Sequence, residues 1–84
     1  MTFSLPAAVS AASAHLCGEF NDWSPTALPM HRLDDGGFEI TVRLPMRGRY
    51  RFRYLLDDER WVNDWAADGY VPNGFGGEDS LVVT

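Results

Sequence analysis

The alternation in "FEITVRL" and "GRYRFRYLL" constrains this chain most, because apolar residues recur there at every second position. Successive side chains of an extended backbone point to opposite faces, so a period of two marks a strand with one buried face. In the first run Phe38, Ile40, Val42 and Leu44 share a face against Glu39, Thr41 and Arg43. In the second, Tyr50, Phe52, Tyr54 and Leu56 oppose Arg49, Arg51 and Arg53. No comparable amphipathic helix pattern is present.

Weaker versions of the same signal occur on either side. Phe3 and Leu5 alternate before Pro6, and Ala14 and Leu16 share a face up to Gly18 while His15 and Cys17 point the other way. Asp34-Asp35-Gly36-Gly37 supplies a turn before Phe38, and Asp57-Asp58-Glu59 turns the chain into a short strand around Trp61 and Val62. "SLVVT" closes the sequence. About seven short strands with turn chemistry between them predict an all-β fold, an immunoglobulin-like antiparallel β-sandwich. Residues 7–13 read as a loop, and 63–79 as a long irregular segment of the sort that more often carries function than not.

At 84 residues the chain is expected to be a single domain over 1–84. That length suits a binding or scaffolding module better than an enzyme, whose cleft needs several positioned groups. Twelve acidic against seven basic residues give a net charge of −5, which argues against nucleic acid or an anionic membrane as partner. One cysteine, Cys17, cannot form an internal disulfide, and His15 and His31 lack metal-ligand spacing. No metal or other cofactor is expected. The small residues ending in Ala12-Ser13-Ala14 resemble a cleavage site, but no basic segment precedes them and Pro6 interrupts the apolar run. No segment approaches the ~20 apolar residues of a membrane span. A cytoplasmic protein is expected.

Tyr50, Phe52 and Phe38 are accounted for by the inward phase of their strands, whereas Trp23, Trp61, Trp65 and Phe75 fall at turns or strand ends. Such aromatics either cap the open ends of a sandwich or present flat surface to a ligand with one apolar face and a polar edge. A glucose ring has that character. Arg53, near the Trp61 hairpin, could donate to its hydroxyls, while Arg51 reads as a solvated strand residue. Asp57, Asp58, Glu59 and Asp64 read as solvated turn acids, with nothing to build the apolar pocket of a glycosidase acid. "GFGG" has the glycines of a phosphate loop without its lysine or helix.

"HLCGEFNDWSP", "YRFRYLLDDERWVND" and "NGFGGEDSLVV" resemble, in order and spacing, the family-48 carbohydrate-binding module. That group includes the glycogen-binding domain of AMP-activated kinase β subunits and the early-set domains preceding isoamylases and glycogen branching enzymes. The resemblance implies an early-set immunoglobulin-like sandwich that binds α-1,4-linked glucans such as glycogen, starch and maltooligosaccharides without catalysis. It places Trp23 and Trp61 at the two stacking tryptophans and Arg53 at a sugar-binding lysine. Phe75 stands at a leucine that protrudes through a cyclic glucan, Gly77 at a threonine, and Asp79 at an asparagine that bonds hydroxyls. Trp65 and Asn63 are candidate additions to the site. Gly77 loses a side-chain contact and Asp79 loses the amide donors. These two departures keep a second reading open, a protein-interaction domain of the same fold that has lost sugar binding and acts as an accessory to a glycogen-metabolism enzyme or kinase complex. On either reading an enzyme of glycogen metabolism, met in trans, is a candidate partner.

Overall fold

The computed structural model describes residues 1–74 and 76–84. Among them eight strands form: β1 Thr2–Leu5, β2 Ala14–Gly18, β3 His31–Arg32, β4 Phe38–Thr41, β5 Arg49–Leu56, β6 Arg60–Val62, β7 Gly69–Pro72 and β8 Glu78–Val83. All their pairings are antiparallel. One sheet has the order β1-β4-β3; the other runs β2-β5-β8-β7 with β6 also on β5. The two sheets make an immunoglobulin-like β-sandwich of the early-set type. No helix of the described residues is long and apolar enough to cross a membrane.

Period-two alternation becomes a core where the two sheets face each other. Phe3, Leu5 and Phe38 from the first sheet pack with Leu16, Phe52, Tyr54, Leu56 and Val82 from the second. A run of rings crosses the layers: Phe3 meets Phe52 edge-on at 5.0 Å, and Phe52 meets Tyr54 edge-on at 5.6 Å. Phe20 extends this run toward Tyr50, with centroids 6.2 Å apart. Edge-to-face pairs of this kind add about 0.5–1.5 kcal/mol each beyond burial. The buried Tyr54 hydroxyl is satisfied by Asp64 Oδ2 at 2.8 Å. Burial first, and then this carboxylate, push the Tyr54 phenol far above its ordinary range.

β5 is the spine of the larger sheet. One edge pairs with β2 from Phe52 to Leu56. The other edge is shared: Arg49 to Phe52 pair with β8, and Tyr54 to Leu56 pair with β6. Arg53 stands where the partner changes. The break is closed by side chains, since Ser80 Oγ accepts the Asp64 N–H at 2.8 Å and donates to Asn63 Oδ1 at 2.8 Å. Asn63 Nδ2 in turn donates to the Glu78 carbonyl at 2.9 Å.

Three expectations are corrected. There are eight strands rather than about seven, because β3 and β7 were unreadable. β3 has two residues, both exposed, and β7 alternates exposed with half-buried positions, so neither carries an apolar pattern. The segment 63–79 is therefore no continuous loop: it contains β7 and the start of β8. Residues 7–13 include a 3-10 turn, Ala7–Val9, and bury Val9 and Ala11 in the core. On the outward phase of the larger sheet Cys17 and Leu55 are buried as well, and burial raises the Cys17 thiol pKa.

Candidate functional site

The turn after β2 builds the first wall of the site. Phe20 points inward to Phe3, at 6.0 Å, and anchors it. Asn21 then works as a clip: its Oδ1 accepts the Gly18 N–H at 3.0 Å, and its Nδ2 donates to the Leu16 carbonyl at 3.0 Å. The Trp23 N–H closes the turn on the Gly18 carbonyl at 2.9 Å. Asp22 and Trp23 both take left-handed backbone, with φ of 55° and 58°. For a bulky residue this conformation is sparsely populated and costs about 1–2 kcal/mol, so Trp23 is held in place by the turn around it. Its side chain is half-buried rather than fully offered to solvent.

The floor comes from the outward face of β5, β6 and β8. Cross-strand pairs share a face, so Trp61 opposite Leu55, and Arg53 opposite Cys17, project to the same side. The Arg53 guanidinium lies over the Trp61 indole, 5.3 Å from its centroid, a cation–π contact that orients both groups. Arg53 Nε stands 3.2 Å from Asp79 Oδ1 in an ion pair without hydrogen-bond alignment. Arg51 Nη1 is 4.0 Å from the other carboxylate oxygen. Asp79 is buried between the two arginines, and Asn73 Nδ2 donates to it at 3.2 Å. Asn73 also closes the loop above, pairing with Gly77 through main chain at 3.0 Å and through its Oδ1, which accepts the Gly77 N–H at 3.2 Å.

These elements enclose an open cleft of about 510 Å³ lined by Trp23, Arg53, Trp61 and Asp79, together with Glu19, Arg51, Asn73 and Gly74. Four of the sequence-derived candidates thus stand together. Gly77 is exposed beside the cleft without lining it. Asn63 is turned to Ser80 and Glu78 and stitches strands. Trp65 lines a different cleft. Phe75 lies outside the described residues. Sequence reasoning missed Glu19, whose Oε1 accepts the Arg51 N–H at 2.6 Å just beyond the end of β2. It also set Arg51 aside as solvated, although the strand alternation that gave Arg53 put both on one face.

Two carboxylates and two guanidiniums leave the cleft without net charge, and the carboxylates already accept hydrogen bonds or ion pairs. Such a surface suits a neutral ligand with an apolar face and many hydroxyls. Among the described residues no group of three or more His, Cys, Asp or Glu side chains is placed to hold a metal ion. Asp64, expected to be a solvated turn acid, instead accepts from Tyr54 and from the Ala66 N–H at 2.9 Å. Comparison with family models matched residues 3–71 to carbohydrate-binding module 48, the isoamylase N-terminal domain. Comparison with curated proteins gave no match.

Proposed function

The chain belongs to the carbohydrate-binding module 48 family, that of the isoamylase N-terminal domain, and from that premise we propose that it binds α-1,4-linked glucans in the Trp23–Trp61 cleft. Carbohydrate binding without catalysis is the property of the family. The α-glucan reading is supported by one observation above all: two indoles line a single cleft without net charge, together with two guanidinium donors and a buried carboxylate that pairs with them. On this reading Trp23 and Trp61 stack on the C–H faces of consecutive glucose rings, Arg53 and Arg51 donate to hydroxyls, and Asp79 holds the arginines in position while accepting from the sugar.

Covering ~300 Å² of apolar surface at ~25 cal/mol per Å² gives about 7–8 kcal/mol gross, against at least ~4 kcal/mol for lost freedom on association. The net of at most about 3–4 kcal/mol corresponds to affinity in the millimolar range. A module this weak acts through repeated contacts along a polymer, or by bringing an enzyme of glycogen metabolism to its substrate.

A titration of tryptophan fluorescence with maltoheptaose and β-cyclodextrin, with cellohexaose as the linkage control, tests the reading. A saturable change with the α-linked sugars alone is expected, and Trp61→Ala should weaken binding at least ~10-fold, since about half of the stacked area is lost. Retention of that mutant on glycogen at wild-type strength would remove the site assignment.

The alternative, a protein-interaction domain that has lost sugar binding, is favoured by the pairing of Asp79 with Arg53 and Asn73, which occupies acceptors a sugar would need. It predicts pull-downs that recover the same partner with or without excess maltoheptaose.

A further inference from the structure

Trp65 is the most exposed tryptophan of the chain, at 66%, and the Trp61 cleft makes no use of it. It lines a separate cleft of about 430 Å³ with Thr2, Ser4, Leu5, Pro6, Asp64 and Ala66. The two clefts share none of the described residues and open on different sides of the larger sheet. Trp61 projects with Leu55, on the outward face. Asp64, next to Trp65, receives the hydroxyl of Tyr54, whose ring points into the core between the sheets. Tyr54 and Leu55 are neighbours on β5, so they face opposite ways. Two tryptophans four positions apart in the chain are thereby presented to opposite sides of one sheet.

The base beneath Trp65 is rigid. The Asp64 main-chain N–H donates to Ser80, its carbonyl accepts from the Tyr70 hydroxyl at 2.6 Å, and its carboxylate accepts from Tyr54 and Ala66. An indole left two-thirds exposed on so firmly held a backbone is a platform rather than a frayed loop end. The polar groups around it are uncharged apart from Asp64, whose two carboxylate oxygens already accept protein donors. What remains is the hydroxyl of Ser4, that of Thr2, which is hydrogen-bonded with the Thr41 hydroxyl at 2.9 Å, the edge of β1 not paired with β4, and the apolar faces of Pro6 and Ala66. An indole beside hydroxyls and an unpaired strand edge, with no cationic side chain among the described residues that line the cleft, fits a neutral sugar ring better than an anionic or acidic partner.

We propose that the Trp65 cleft is a second carbohydrate-binding site, which makes the module bivalent toward a glucan polymer. This rests on the glucan reading of the Trp61 cleft for the identity of the sugar. Two weak sites on one rigid body convert the second contact with a polymer into an intramolecular one, so affinity for glycogen exceeds that for a short oligosaccharide.

The experiment follows the three indole N–H resonances of Trp23, Trp61 and Trp65 by NMR while maltoheptaose is added to the wild type and to Trp61→Ala. The expected result is a Trp65 shift that saturates in the wild type and survives Trp61→Ala with its midpoint within about twofold, as independent sites require. Trp65→Ala should then weaken retention on glycogen about 10-fold, while maltotriose still moves the Trp61 resonance at unchanged midpoint. A moving Trp61 with a silent Trp65 overturns the second site and leaves the first standing. A Trp65 shift that vanishes in Trp61→Ala also overturns it, since the two would then be one continuous surface. Silence of all three resonances removes the glucan reading as well. A Trp65 signal that responds to a short Val/Thr-rich peptide and to no sugar overturns the proposal in favour of strand addition on β1.

Discussion

Gly18 decides whether the Trp23 turn can form. A methyl group placed on it would sit 2.6 Å from the Arg51 carbonyl oxygen and 2.8 Å from the Phe20 ring. Its φ of −169° is ordinary extended backbone, so the requirement is for space and not for conformation. Neither neighbour moves cheaply: Arg51 belongs to the β5 ladder, and Phe20 is wedged between Phe3 and Tyr50. Gly18→Ala is therefore expected to destabilise by about 1–3 kcal/mol, the usual cost of overpacking, read as a lowered urea midpoint at unchanged slope. The glycine, the asparagine and the tryptophan of this turn were all legible in "GEFNDW". Their mechanics were not, because the closest contact joins Gly18 to a strand more than thirty residues later. The same distance hid Glu19, which the Arg51 N–H brings to the cleft.

At the scale of elements, the site depends on β6 and β8 meeting end to end on one edge of β5. No main-chain ladder spans that junction; the Ser80 hydroxyl does, bonding Asp64 and Asn63 while fully buried. Ser80→Ala leaves the Asp64 N–H and the Asn63 oxygen without that partner. Unsatisfied buried polar groups cost about 1–3 kcal/mol. Hydrogen exchange should rise at Asp64 and in β6, while the β2–β5 ladder keeps its protection. Equal loss of protection throughout the sheet would show that the hydroxyl supports the whole fold and not the junction. β4 and β5 could be read from the sequence because each buries one face, and their alternation records it. β7 could not, since it takes its conformation from pairing with β8 and buries little of its own. The cleft was half legible for a related reason. Indoles and guanidiniums announce themselves by type, and alternation along β5 puts Arg51 and Arg53 on one face, but the place of Asp79 on that face follows from the β5–β8 register, which no local pattern encodes.

For the molecule as a whole, the two sheets are tied by the crossover between β1 and β2 and by what grips it. Asp57, in the β5–β6 turn, accepts the N–H groups of Ala12 and Ser13 on Oδ1, at 2.8 and 3.1 Å, and its own N–H donates to the Ser13 carbonyl. Arg60, at the start of β6, reaches the Val9 and Ser10 carbonyls and pairs with Asp57 Oδ2 at 3.6 Å. The two main-chain donors, with a smaller contribution from Arg60, hold the Asp57 carboxyl below its usual range. A carboxylate with a depressed folded pKa stabilises the fold above the unfolded value of about 3.9. As pH falls through that value toward the lower folded one, the unfolded chain takes up the proton first and this stability is lost. Asp57→Asn keeps an acceptor and tolerates the left-handed φ of 52° at this position, but carries no titrating charge. The difference in urea midpoint between wild type and Asp57→Asn should hold constant from about pH 7 to pH 5, then shrink below about pH 4 to a lower plateau. Because both proteins share every other carboxylate, the general acid destabilisation of this −5 chain cancels in the comparison. A difference that stays flat across the whole range would mean that the grip on the crossover is made by hydrogen bonding alone, with the charge contributing nothing to the joining of the sheets.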